Sequence, residues 1–135
     1  EVAERQRAAG RYRDLLAGVR GVGLPEPAPS AWAQFTLRIT DASAVDRDCM
    51  AAALGANGVS TAVYYPRALH DQPAYASVCE GSGSCFRSTQ LAGQVLSIPI
   101  HPYLDEQSQL YVVAAVRDAS TGASAVNKLS ADVMP

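Results

Sequence analysis

Apolar and polar positions alternate along this chain in a few clean rhythms. Within residues 1–16, Ala8, Tyr12, Leu15 and Leu16 recur at three- and four-residue intervals with Val19 beyond, predicting an amphipathic helix with one apolar stripe. The glycines between Gly18 and Gly23 end it. Three prolines in residues 24–30 (LPEPAPS) then predict a stiff, extended connector. Ala33, Phe35, Leu37 and Ile39 alternate with Gln34, Thr36 and Arg38, the period of a strand with one buried and one wet face.

Residues 41–58 predict a helix. Ser43 and Asp46 stand at capping-box spacing, Val45, Cys49, Met50, Ala53 and Leu54 form its inner stripe, and Gly55 and Gly58 end it. Residues 59–65 (VSTAVYY) are β-branched and aromatic and predict a second strand, stopped by Pro66. Residues 67–76 predict an irregular turn with a short helix starting near Pro73, residues 81–84 a surface loop, and residues 87–93 another short helix. A third strand is predicted at 94–100, with Leu96, Ile98 and Ile100 on one face and Pro99 confining it to an edge or an early end. Asp105 caps a last helix in which Leu110, Val113, Ala114 and Arg117 keep helical spacing, widened by Val112 and Val116. Residues 120–135 lack any period and read as an extended or loosely docked tail. The expected fold class is α+β, a small three-stranded, mainly antiparallel sheet covered by helices on one face.

At 135 residues the chain is the size of one domain and can bury roughly two-thirds of its unfolded surface. Its net charge of −2 leaves no electrostatic footprint for nucleic acid or an anionic membrane. No apolar run approaches the roughly 20 residues of a spanning helix, and no leader pattern opens the chain, so a cytoplasmic protein is expected. The chain starts in helical rhythm without an initiator methionine, which suggests a piece of a longer polypeptide. Of the three cysteines, Cys49 reads as a small buried apolar residue. Cys79 and Cys85 bracket a Gly/Ser loop; they would pair under oxidant and stay thiols in a reducing compartment. Thiols are expected, since zinc needs more ligands at tighter spacing.

Two stretches carry candidate chemistry. Residues 61–75 (TAVYYPRALHDQPAY) gather three tyrosines, Arg67, His70 and Asp71 at and after a predicted strand end, where binding residues are commonly presented. Arg67 brings a forked cation suited to phosphate or carboxylate. Tyr64 and Tyr65 would point to opposite strand faces, so at most one joins the core. The bland alternative is a set of ordinary strand-end and turn residues. The second stretch, residues 97–105 (SIPIHPYLD), places Ser97, His101 and Asp105 in suggestive order, but two prolines make it a poor holder of triad geometry. Residues 21–23 precede prolines rather than a helix, which argues against a phosphate loop. Arg5, Arg7, Arg11 and Arg13 make the wet side of the first helix a solvated or interface face.

The string GVSTAVYYPRALHDQPAY resembles the signature of the DegT/DnrJ/EryC1/StrS sugar aminotransferases, which typically read G-I-x-T-x-x-H-Y-P-x-x-L-H-x-Q-P-x-Y there. Downstream, QVLSIPIHPYLDEQSQLYVV is similar to that family's V-L-S-L-P-x-H-P-x-L segment, and residues 33–36 to its A-Q-Y-T strand. The three ordered matches span roughly residues 1–118. The resemblance implies the small C-terminal domain of a fold-type I aminotransferase: residues 1–30 an interdomain helix and connector, 31–118 the small domain, 119–135 a tail. Enzymes of this family hold pyridoxal phosphate on a lysine of the large domain and move an amino group from glutamate to a nucleotide-linked keto-sugar, working as homodimers. By the same resemblance, Tyr64, Tyr65, Pro66, Arg67 and His70 line the nucleotide-sugar wall. Tyr64 stands where the family commonly has histidine, Arg67 where an aliphatic is frequent, and Thr89 and Gln90 near a usual acidic position. Lys128, the single lysine, falls in the aperiodic tail, so this chain alone is expected neither to hold the cofactor nor to transaminate. A stand-alone binding or regulatory module of the same fold is the rival expectation, and a small hydrolase built on Ser97 and His101 a third.

Overall fold

The computed structural model describes residues 1–75 and 85–122. Helix α1 spans Val2–Leu16, and its stripe turns Ala8, Ala9, Tyr12 and Leu16 inward. The Tyr12 ring tilts against Phe35 at a centroid distance of 5.2 Å, and its hydroxyl donates to the Pro99 carbonyl at 2.9 Å. Burial pushes the Tyr12 phenol above its ordinary pKa, with the Gln109 amide offsetting part of the effect. On the wet side, Arg5 meets Glu1, Arg7 meets Glu4 and Arg11 meets Glu106.

Three short strands, β1 (Val22–Gly23), β2 (Phe35–Ile39) and β3 (Val95–Ile98), form an antiparallel sheet with β2 in the centre. Val22 pairs with Ile39, while Phe35, Thr36, Leu37 and Arg38 pair with Ile98, Ser97, Leu96 and Val95. The α+β class and the three-stranded antiparallel sheet match the sequence expectation, but one strand is not where the pattern put it. Residues 59–65 form no strand. They touch β3 through one bridge, Ala62 to Ser97, with backbone bonds of 2.8 and 3.1 Å. β3 is only four residues long, and Pro99, which has no N–H, closes its ladder before a longer pairing can form. The third strand comes instead from the glycine cluster. Gly21 adopts φ +76°, which turns the chain back beside β2, and a Cβ there would lie 2.1 Å from the Ser43 nitrogen.

Helix α2 spans Arg47–Ala56 and starts later than the predicted 41, because Asp46 rather than Ser43 is its cap. The Asp46 carboxylate accepts from the Cys49 N–H at 2.7 Å, whereas the Ser43 hydroxyl accepts from the Val45 N–H within the preceding turn. Met50 and Leu54 take the inward positions. Cys49 is exposed, against the expectation of a buried thiol: it lies in the first turn over Asp46, whose carboxylate pushes its pKa up.

Helix α3 spans Phe86–Ala92, and α4 spans Glu106–Ser120, capped by Asp105 as expected. The buried side of α4 consists of Gln109, Val112, Val113, Ala115, Val116, Ala119 and Ser120. Leu110 and Ala114, predicted in the stripe, face outward. Helices α1, α2 and α4 share one core with Phe35, Leu37, Ile39, Leu96 and Ile98 of the sheet. Among the described residues no helix is long and apolar enough to cross a membrane. The predicted loop at 81–84, Cys79 with its relation to Cys85, and the tail beyond Gly122 with Lys128 lie outside the described residues.

Candidate functional site

After the Ala62 bridge the chain leaves the sheet edge and displays its aromatic cluster. Tyr64 and Tyr65 are 47% and 72% exposed, so neither joins the core, and their rings meet edge to face at 6.1 Å. The strand geometry that would have buried one of them is absent. Pro66 and Arg67 are exposed as well, and Arg67 has no ion-pair partner among the described residues. Ala68 is the buried anchor of the loop. Two 3-10 turns follow, Leu69–Asp71 and Pro73–Tyr75, the second starting at the proline that the sequence marked. Leu69 and Tyr75 add further exposed apolar surface. Such a concentration on one loop marks a contact surface more often than a chance outcome of folding.

His70 sits at the margin of this face with its side chain only 13% exposed. Its Nε2 lies 3.0 Å from Thr89 Oγ1 on α3 and 3.4 Å from Asp71 Oδ1. The Thr89 hydroxyl donates to Asp71 Oδ2 at 2.7 Å. Thr89 stands near the position, in the helix before β3, where an acidic residue was expected from the family resemblance, and the carboxylate beside His70 comes instead from Asp71 of the loop. Between Tyr64 and the sheet lies a hollow of about 240 Å³ lined by Gln34, Thr61, Ala62, Ser97 and Pro99 among others. It is shallower than a complete small-molecule pocket, which fits one wall of a site. A wider hollow of about 670 Å³ lies past the other end of β2, between residues 17–20, 41–44 and Arg117, away from the tyrosines.

The second sequence cluster does not assemble. Ser97 is buried and shares a hydrogen bond with Thr36 Oγ1 at 2.8 Å. His101 Nδ1 accepts from the Tyr103 N–H at 3.2 Å, and Asp105 is committed to Ser108 at the start of α4. Each has a different structural task, and the hydrolase reading falls with them. Among the described residues no group of three or more metal-ligating side chains comes together.

Two polar residues that the sequence reading passed over prove central. Gln109, fully buried, donates to the Ala8 carbonyl at 2.9 Å and accepts from Arg11 at 2.6 Å. Arg47 donates to the carbonyls of Ala92 and Val95, tying α2 to the end of α3 and the start of β3. The signal for Gln109 was present: it stands three, four and seven residues before Val112, Val113 and Val116.

A family model described as the DegT/DnrJ/EryC1/StrS aminotransferase family matches residues 1–117. The chain belongs to this family. It is 39% identical over 117 residues to a dTDP-3-amino-3,4,6-trideoxy-alpha-D-glucose transaminase of Streptomyces venezuelae, covering 84% of this chain and 30% of that protein. It is 38% identical over 119 residues to a UDP-2-acetamido-2-deoxy-3-oxo-D-glucuronate aminotransferase of Pseudomonas aeruginosa, covering 86% and 31%. A crystal structure of a family aminotransferase from Brucella abortus superposes with a TM-score of 0.78 at 34% identity, over 89% of this chain and 31% of that one. The chain therefore spans about a third of the length of these relatives. The family is one of pyridoxal-phosphate-dependent aminotransferases, and the Streptomyces and Pseudomonas relatives are named for dTDP- and UDP-linked sugars.

The described residues do not fit that cofactor. None is a lysine, and the carboxylates of Asp46 and Asp105 are committed to helix caps. What residues 64–70 offer is aromatic surface, the Arg67 guanidinium and one oriented histidine.

Proposed function

We propose that this chain is the substrate-covering, C-terminal part of a cytoplasmic, homodimeric aminotransferase that acts on a nucleotide-linked keto-sugar with glutamate as amino donor. In this reading residues 1–30 are the interdomain helix and connector, 31–118 the small domain and 119–135 a tail. The observation that carries it is the exposed face of Tyr64, Tyr65, Pro66 and Arg67, edged by His70, in a chain belonging to a sugar-aminotransferase family.

Each residue has a task that its chemistry suits. Tyr64 and Tyr65 offer flat apolar faces for a base or sugar ring, with hydroxyls at their rims. Pro66 fixes the backbone between them and Arg67. Arg67 supplies a forked, permanently charged donor set for a diphosphate, and His70 bounds the sugar end. Pyridoxal phosphate supplies the electron sink for amino transfer when bound. It belongs on a large domain carrying the lysine, so the chain alone is inactive in this reading. The part played here is to orient the sugar nucleotide and to exclude water from it.

Replacing Arg67 with alanine in the full-length aminotransferase tests this. Loss of a charge-assisted contact of about 1.5–3 kcal/mol corresponds to a rise of roughly ten- to a hundred-fold in the nucleotide-sugar Kd. Glutamate affinity should stay within about twofold, well below that range. Equal weakening of both ligands would make Arg67 a structural residue and remove the anion contact.

A further inference from the structure

The three side chains at the edge of the tyrosine face fix more than a position. A threonine hydroxyl has one proton, and an ionised carboxylate only accepts. At 2.7 Å from Asp71 Oδ2, the Thr89 proton is committed to the carboxylate, leaving only lone pairs toward His70 Nε2, 3.0 Å away. Asp71 Oδ1, at 3.4 Å from the same nitrogen, is a second acceptor. A ring nitrogen facing two acceptors must carry the hydrogen. In neutral imidazole the other nitrogen is then unprotonated, and Nδ1 has no partner among the described residues.

We infer that Thr89 and Asp71 are positioning residues that lock His70 as its Nε2–H tautomer, so that Nδ1 is offered to the ligand as a hydrogen-bond acceptor. This rests on the substrate-wall reading above and sharpens it. An acceptor nitrogen recognises a donor, such as a sugar hydroxyl or an amide N–H, and repels the lone pairs of a phosphate oxygen. The wall then divides its labour: Arg67 takes the anion, and His70 takes a hydroxyl or N–H of the sugar. Asp71 follows His70 directly on the same turn, whereas Thr89 reaches across from α3, so the lock also ties the loop to that helix.

Long-range proton–nitrogen correlation of the 15N-labelled 135-residue chain reads the tautomer directly, since His70 and His101 are its two histidines. The expected spectrum at neutral pH has a pyrrole-type Nε2 and a pyridine-type Nδ1 for His70. The Thr89→Val, Asp71→Ala double variant, which removes both acceptors, should give averaged shifts from both tautomers, and Thr89→Ser, which keeps both, should leave the single one. An Nδ1–H tautomer in the wild type, or an unchanged pattern in the double variant, overturns the lock. The second arm is calorimetry on the full-length aminotransferase with dTDP-glucose and dTDP as probes. The same double variant should weaken dTDP-glucose roughly tenfold, the size of one lost hydrogen bond, and leave dTDP unchanged. Equal loss of both probes overturns the assignment of His70 to the sugar. A locked tautomer with no change for either probe keeps the lock and removes His70 from the substrate wall, which separates failure of the wall reading from failure of the inference.

Discussion

Gln109 illustrates how a single polar residue can hold two helices together without a titratable charge of its own. Both ends of its amide are satisfied, by the Ala8 carbonyl on α1 and by the Arg11 guanidinium. No buried side-chain nitrogen or oxygen among the described residues is left without a partner, so the site has no slack to absorb a loss. Gln109→Ala would open a cavity and strip the acceptor from Arg11. A destabilisation of about 2–4 kcal/mol is expected from the cavity and the lost bonds together. Urea unfolding of the chain should show a lower midpoint with an unchanged slope; a midpoint within error of wild type would mean that the α1–α4 seam does not depend on this amide. At the same scale, the aromatic and charged residues of the candidate wall could be named from the sequence, because Tyr64, Tyr65, Arg67 and His70 lie close together along it. The Thr89–His70–Asp71 arrangement could not, since it joins residues 18 and 19 positions apart across a fold that the pattern alone does not place.

Among the elements, the strongly periodic ones were legible and the edges were not. Strand β2 and helices α1 and α4 carry enough alternation or helical spacing to be read directly. Residues 59–65 have high strand propensity yet make a single bridge, because propensity supplies no partner and Pro99 ends the available edge. β1 escaped notice for the opposite reason: two residues beside glycines have no period, and only Gly21's backbone places them against Ile39 and Arg38. The starts of α2 and α4 are set by side chains that titrate. The Cys49 N–H holds the Asp46 carboxyl below its ordinary 3.8, and the Ser108 N–H does the same for Asp105. A folded-state value below the unfolded one makes the stabilisation complete above the unfolded pKa, and it is lost as pH falls through the lower folded value. Thermal unfolding across the acid range should therefore show Tm dropping below about pH 4. The Asp46→Asn, Asp105→Asn double variant, which keeps an acceptor oxygen but does not titrate there, should drop less steeply. Parallel curves would mean that neither cap carries acid sensitivity.

At the scale of the whole molecule, the chain folds a core of its own from three helices and one sheet face while matching about a third of its relatives' length. Its candidate wall is correspondingly one-sided: the tyrosine face is open, and the hollow beside it, about 240 Å³, is smaller than a nucleotide sugar requires. A wall of this kind orients a ligand only when another surface closes against it. In the proposed reading that second surface is the large domain, which would also bring the amine, since stable cofactor attachment needs a lysine held in a pocket that tunes its pKa, and the described residues contain no lysine. This can be tested on the chain as it stands. After incubation with pyridoxal phosphate and dialysis, its absorbance should carry no cofactor band, and borohydride reduction before mass measurement should leave no stoichiometric adduct. Scattered, substoichiometric labelling of amines would fit the same outcome, because free pyridoxal phosphate reacts weakly with any exposed amine. A single adduct at Lys128 that survives dialysis would put the cofactor on this chain and overturn the division of labour proposed for it.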